Sequence, residues 1–445
     1  MTQCLNWQQL NAAEQAAALA RPSLPDSAAL KTTVAGIIAE VRRDGDAALK
    51  RLSEQFDGLA DNALLLSQAQ RAALIAELKP ERKAAIELAY GNIRRFHAAQ
   101  QPSDIQVETT PGVFCELRQR PIGSVGLYIP GGSAPLPSTV LMLGVPAQLA
   151  GCPRTVLVTP PGRPTAADIA PEIVYAAELC GIQQIFTIGG AQAIAALAYG
   201  TQSIAKVDKI FGPGNRYVTE AKQQVSQDAQ GAMIDMPAGP SEVLVLADDS
   251  ANPAFVAADL LSQAEHGPDS QVLLVSPSQS LIDKVLLQVE QQLKILPRAD
   301  IARQALSHSR AICTADVATA VTVTNAYAPE HLIVQTHDDD ALVPQFTSAA
   351  SIFVGPWTPE SAGDYASGTN HVLPTYGYSR TASSLSLTDF YRRFTVQKLT
   401  PAGMRAIGPA IVTLAEAEQL GAHALAVSLR LQQLGSTQGE SSNER

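Results

Sequence analysis

The residues of this 445-residue chain best able to do chemistry fall in four clusters. In Asp259-Leu-Leu-Ser-Gln-Ala-Glu-His-Gly267, Gln263 and His266 are three apart, so they share one helix face just before a Gly267-Pro268 stop. An amide oxygen and an imidazole nitrogen make a half-site for zinc or for a polar substrate. Seen alone, such a pair is more often plain capping or a surface group, and Glu265 points elsewhere. Ala328-Pro-Glu-His-Leu332 sets Glu330 beside His331 just before a strand, where two proton carriers of different pKa can reach one cleft. Residues 360–371 form a polar loop carrying a possible metal carboxylate and a further imidazole, His371, although an ordinary long loop explains the run equally well. Glu418 and His423 are five apart near the C-terminus, so either Gly421 breaks the helix there or the two serve different surfaces. His97, His308 and His337 have charged or polar neighbours and read as surface groups.

These clusters need a frame to bring them together. Residues 1 to about 102 read as helices, with Val34, Ile37, Ile38, Val41, Ala48, Leu49 and Leu52 near helical spacing. Around Pro111-Gly112 the pattern alternates as a β-hairpin. From 121 to about 238, strands ending in Gly131-Gly132, Gly189-Gly190 and Gly212-Pro-Gly-Asn215 alternate with helices, which means a parallel sheet. Glycine there lets backbone N–H groups approach a pyrophosphate, although no GxGxxG is present and a tight structural turn explains the glycines equally well. Residues 239–354 repeat the strand–helix alternation, and Leu387 to Leu434 read as helical. The expected class is α/β, with two doubly wound, Rossmann-like but incomplete parallel-sheet domains. The expected bounds are a helical arm over 1–24, a main domain of 25–127 with 239–382, a second domain over 128–238, a helical segment over 383–435 and a disordered tail over 436–445.

Composition removes several classes of function. A net charge of −10 argues against nucleic acid or an anionic membrane as the main partner. No apolar run approaches ~20 residues, and Met1–Leu19 has neither a basic residue nor a long apolar core, so no span or signal peptide is expected. Cys4, Cys115, Cys152, Cys180 and Cys313 are odd in number, far apart and without a CxxC, which fits reduced cytoplasmic thiols. Cys152 and Cys180 look like core packing rather than aldehyde-oxidising nucleophiles.

Taken together, Asp-Leu-Leu-Ser-Gln-Ala-Glu-His, Tyr-Ala-Pro-Glu-His-Leu, Ser-Ala-Gly-Asp-Tyr-Ala-Ser-Gly-Thr-Asn-His, Gly-Leu-Tyr-Ile-Pro-Gly-Gly and Phe-Gly-Pro-Gly-Asn closely resemble the histidinol dehydrogenase family. The resemblance runs from about residue 20 to 433. It implies a homodimeric zinc enzyme of histidine biosynthesis that oxidises L-histidinol through L-histidinal to L-histidine with two NAD+. It implies zinc ligands Gln263, His266, Asp364 and His423, the last supplied across the dimer, so that the C-terminal tail takes part in dimerisation. Glu330 and His331 would carry protons. Ser241, His371 and Glu418 would line the substrate pocket with the zinc ligands and His331. Tyr128, Gln192 and Asn215 would contact NAD. The long 162–168 loop and the 436–445 tail depart from the family pattern without touching a motif. Two other readings stand beside this one: a zinc- and NAD-dependent dehydrogenase of a different amino or polar alcohol, and a non-enzymatic NAD-binding protein.

Overall fold

A computed structural model describes residues 4–22, 27–58, 64–131, 135–162, 169–236 and 239–440. The 162–168 loop beyond Gly162 and residues 441–445 of the tail lie outside them, while residues 436–440, expected to belong to a disordered tail, continue the last helix. Fourteen strands are present among the described residues: β1 Cys4–Asn6, β2 Ile105–Thr110, β3 Val113–Pro121, β4 Ser124–Tyr128, β5 Arg154–Thr159, β6 Gln184–Thr187, β7 Lys209–Phe211, β8 Met233–Ile234, β9 Glu242–Ala247, β10 Gln271–Ser276, β11 Arg310–Cys313, β12 His331–Gln335, β13 Ser351–Val354 and β14 Tyr391–Leu399. The chain divides into two compact units, residues 1–100 with 122–390 and residues 101–121 with 391–445.

The larger unit holds two parallel sheets. One has the order β6-β5-β4-β7-β8 and the other β1-β11-β10-β9-β12-β13. In each, the first strand after the N-terminal segment sits inside the sheet, and the chain winds outward first to one side and then to the other. Neighbouring strands β4 and β7, and β9 and β12, therefore flank the points where the winding reverses. The strands of the six-stranded sheet are apolar on both faces because helices cover both. Val243, Val245 and Ala247 feed one core, packed on helices Pro253–Ala264 and Gln279–Gln292. Leu244 and Leu246 feed the other, packed on helix Val317–Tyr327.

Three expectations change. The 1–24 arm is not wholly helical, since β1 pairs with β11 and extends the six-stranded sheet. The helices at 27–57, with β4, join the five-stranded sheet instead of the main domain. The apolar stripe of Val34, Ile37, Val41, Leu49 and Leu52 packs in one core with the alanine-rich helix Gly190–Tyr199 and with Val156 and Val158 of β5.

The smaller unit supplies the third change. Residues 391–399, expected to be helical, form β14, which pairs antiparallel with β3 from Tyr391 opposite Pro121 to Leu399 opposite Val113. Tyr-Arg-Arg-Phe-Thr-Val is rich in aromatic and β-branched residues, which favour a strand. Helices Pro401–Ala417 and Gly421–Glu440 complete this unit and pack together. Gly408 lets them approach, since a Cβ there would lie 3.0 Å from Leu431.

Candidate active site

The centre forms at the amino ends of β9 and β12. Helix Val317–Tyr327 stops where Ala328 turns into the left-handed region (φ 56°), and Pro329 cannot continue it. Glu330 and His331 follow at once, both buried. On the adjacent strand start, the Glu242 N–H donates to Glu330 Oε2 at 2.7 Å. The Glu242 carbonyl lies 3.0 Å from His331 Nδ1 and accepts from Gln263 Nε2 at 3.0 Å. Gln263 Nε2 and His331 Nδ1 are 2.9 Å apart. A carbonyl can only accept, so a proton on Nδ1 bonded to it leaves the His331 Nε2 lone pair facing the pocket. Arg21 fixes this corner. Its guanidinium pairs bidentately with the Glu242 carboxylate, at 2.5 and 2.8 Å, and donates to the carbonyls of Tyr327 and Ala328.

Opposite lies the short helix Glu360–Tyr365, expected as loop. One ligand atom from each of His266, Glu360 and Asp364 lies within 4.8 Å of the others. Asp364 Oδ1 is 3.9 Å from His331 Nε2, and Glu360 Oε1 is 3.9 Å from His331 Nδ1. The Asp364 carbonyl lies 2.9 Å from His371 Nδ1, and the other His371 nitrogen meets Thr139 Oγ1 at 3.2 Å. Thr139 opens helix Pro137–Ala150, which follows β4, so the two sheets meet at this imidazole. Asn370 donates to the Met142 carbonyl of the same helix. Ser241 immediately precedes Glu242 at the rim.

Burial sets the electrostatics. It pushes Glu330 well above the usual carboxylate range, reinforced by Glu242 and Asp364, and it does the same to Glu360 with Asp364, Glu330 and Asp259 as neighbours. Asp364 is raised to about 6 by burial. His331 is drawn down to about 3 and His371 to about 4. Among the described residues, Gln263 Oε1, His331 Nε2 and both Glu360 oxygens are buried with no hydrogen-bond partner. Lone pairs left unused around several acids fit a cation, and the nitrogen-and-oxygen donor set fits zinc.

The structure thus gathers Gln263, His266, Glu330, His331, Asp364 and His371. Glu418 and His423 belong to the smaller unit. Glu418 caps the end of helix 401–417, the chain turns at Gln419 (φ 60°), and His423 opens the next helix, both side chains exposed. The break answers the question their spacing left open. Arg21, Glu242 and Thr139 carried no sequence signal, because their partners are hundreds of residues away. Glu360 did carry one, four residues before Asp364 in a helix. His97, expected on the surface, is fully buried. Its Nδ1 lies 2.9 Å from the Ile93 carbonyl and its Nε2 3.3 Å from Asn370 Nδ2, so it backs the segment bearing His371. Of the two cysteines expected in the core, Cys180 is buried and Cys152 half-buried.

Tyr128, Gln192 and Asn215 line one cleft of about 580 Å³ at the carboxyl ends of β4 and β7, with Gly131, Gly190 and Tyr217. Gly190 (φ +69°) donates its N–H to the Tyr128 hydroxyl, and Gly212 admits no Cβ because the Tyr128 carbonyl occupies that space. Asn215 caps helix Arg216–Gln227 through its Oδ1, leaving its Nδ2 for other partners. A second acidic group, Asp248, Asp249 and His337, lies at the opposite end of the six-stranded sheet, with Asp249 and His337 exposed. There Asp248 closes its own turn through Ser250 and the His337 N–H.

Comparison with known proteins agrees in one direction. A family model described as histidinol dehydrogenase matches residues 20–431. Histidinol dehydrogenase of Colwellia psychrerythraea is 60% identical over 433 residues, covering 97% of this chain and 99% of the relative. That of Photobacterium profundum is 57% identical, covering 96% and 95%. The crystal structure of histidinol dehydrogenase from Elizabethkingia anophelis superposes with a TM-score of 0.92 at 48% identity, covering 97% of this chain and 98% of that one.

Proposed function

The chain belongs to the histidinol dehydrogenase family, and on that premise we propose that it oxidises L-histidinol through L-histidinal to L-histidine, as a step of histidine biosynthesis. Gln263, His266 and Asp364 would hold zinc, with His423 of the partner subunit completing the set in a cytoplasmic homodimer. Tyr128, Gln192 and Asn215 would hold NAD. When bound, zinc would anchor the imidazole and amine of the substrate, and NAD+ would accept the hydride. The rest falls to this chain's own side chains. Neutral His331 takes the alcohol proton on Nε2 as the first hydride leaves. Glu330 takes a proton from water as its oxygen adds to the aldehyde, and His331 gives its proton to the aldehyde oxygen, which completes the hydrate and leaves His331 neutral again. His331 then takes the hydrate's proton as the second hydride leaves to a second NAD+, giving the carboxylate. Ser241, His371 and the partner's Glu418 would orient the substrate's polar ends. One observation carries the reading: His331 Nε2, Gln263 Oε1 and both Glu360 oxygens are buried without a hydrogen-bond partner among the described residues, and Glu360 lies with His266 and Asp364 in a group whose ligand atoms are within 4.8 Å of one another.

The test is NADH formed per L-histidinol consumed, with zinc bound and after stripping. Two NADH, lost on stripping and restored by zinc, is the expected outcome. One NADH with histidinal accumulating would remove Glu330 from its role. No NADH from histidinol would turn the search to other amino alcohols.

A further inference from the structure

We propose that Asp57 holds the diol of the adenosine ribose of NAD and thereby selects NAD over NADP. The proposal rests on reading the cleft at Tyr128, Gln192 and Asn215 as the cofactor site. In a doubly wound dinucleotide fold, an acidic residue at the end of the second strand accepts hydrogen bonds from the ribose hydroxyls. Here the second strand outward, β5, ends at Thr159 and runs into Pro160-Pro161-Gly162, which offers no acid. The cleft nevertheless has a carboxylate. Asp57 is its one acidic lining residue among those described, and it comes from helix Asp46–Asp57.

Three observations single this carboxylate out. Its Oδ2 is buried and has no hydrogen-bond partner among the described residues. No ion pair described in the structure involves it, so nothing cationic among the described residues neutralises it. The side chain is also held in place: Ala48, Leu49 and Leu52 anchor its helix in the core, and Gly58 (φ 71°) turns the chain away directly behind it. Burial raises its pKa, which is the cost of keeping a carboxyl there without a partner. A vicinal diol offers two O–H donors to such a group, whereas a 2′-phosphate would meet it charge to charge. Beside it, Phe56 is 52% exposed and Tyr217 37% exposed, so the same cleft presents aromatic faces on which an adenine can stack.

The test is titration of NADH and NADPH into the full-length, zinc-loaded protein, read by nicotinamide fluorescence. Wild type, Asp57→Asn, Asp57→Ser and Gln192→Ala are compared, with thermal midpoints as a folding control. Asp57→Asn should weaken NADH binding about 10-fold, the usual scale for a hydrogen bond to a charged group. NADPH should be rejected by the wild type and become a ligand of both Asp57 variants. A purely structural role for Asp57 would not create that gain. If Gln192→Ala loses NADH while the Asp57 variants keep wild-type affinity and still reject NADPH, the assignment of Asp57 is overturned and the cleft stands. If Gln192→Ala and the Asp57 variants all bind NADH as the wild type does, the cofactor lies elsewhere and both readings fall.

Discussion

At the scale of the residue, the centre is a set of groups held in costly states. Glu360 is the extreme: a buried carboxyl whose oxygens have no hydrogen-bond partner among the described residues. In zinc-free protein, Glu360→Gln should therefore raise stability by roughly 1–3 kcal/mol, while zinc is retained less well. Thermal denaturation with and without zinc measures both effects, and a loss of zinc-free stability would mean that Glu360 is already satisfied. Asp259 is a second case. Burial lifts it to about 7, against a hydrogen bond from Gln335 at 2.9 Å that opposes the shift. The folded chain then holds a proton that the unfolded chain has released, so stability falls as pH rises from about 4 towards 7. Asp259→Asn should abolish that slope, gaining on the order of 2 kcal/mol at pH 8 and little below pH 4. His331 and His371 act with the opposite sign. Held near 3 and 4, they stay neutral when the unfolded chain takes up protons, so stability is lost as pH falls below about 6.5. His331→Asn should lose both oxidations and Glu330→Gln chiefly the second, which separate assays with histidinol and histidinal would resolve. Glu330, His331, Gln263 and His266 were legible because each pair is contiguous or three apart in sequence. Glu242 and Arg21 were not, because a salt bridge spanning 221 residues leaves no local pattern.

At the scale of the element, the helix-and-strand alternation was readable because buried parallel strands are short apolar runs between glycine turns. β14 was missed because its polar residues hide a half-exposed strand whose partner lies far upstream in β3. His97 was misread for a related reason: Arg94 and Arg95 beside it point away, while Ile93, four residues earlier, shares its buried face. The short helix 360–365 was hidden in a glycine-rich stretch, yet it positions two acids. It lies tight on β13, where a Cβ on Gly363 would meet the Phe353 ring at 2.7 and 2.9 Å. That ring in turn neighbours His331, with centroids 5.9 Å apart. Gly363→Ala should thus lower kcat by roughly 10-fold or more through misplaced groups, with a smaller effect on the thermal midpoint. Equal activity in that variant would show that the helix can shift without cost.

At the scale of the whole molecule, the larger unit supplies three of the four residues expected to hold zinc. If His423 crosses to a partner's site, two inactive variants can repair each other. Mixed and reassembled His331→Asn and His423→Asn subunits should regain about a quarter of wild-type activity, since half the dimers are mixed and each has one intact site. No recovery would place His423 and His331 of one chain in the same site. The two clefts lie at opposite ends of their sheets, the acid-rich centre at strand amino ends and the glycine-lined cleft at strand carboxyl ends. In an α/β layer the helices run against the strands, so the peptide dipoles sort charge across the molecule. Helices 253–264 and 317–327 turn their negative ends towards the centre, a field that favours a divalent ion and an ammonium. Helix 190–199 turns its positive end into the other cleft, where a pyrophosphate is welcome. The backbone alone thus assigns cation and anion to different clefts, and its share of the field favours the cationic alcohol over the carboxylate that the reaction leaves in its place.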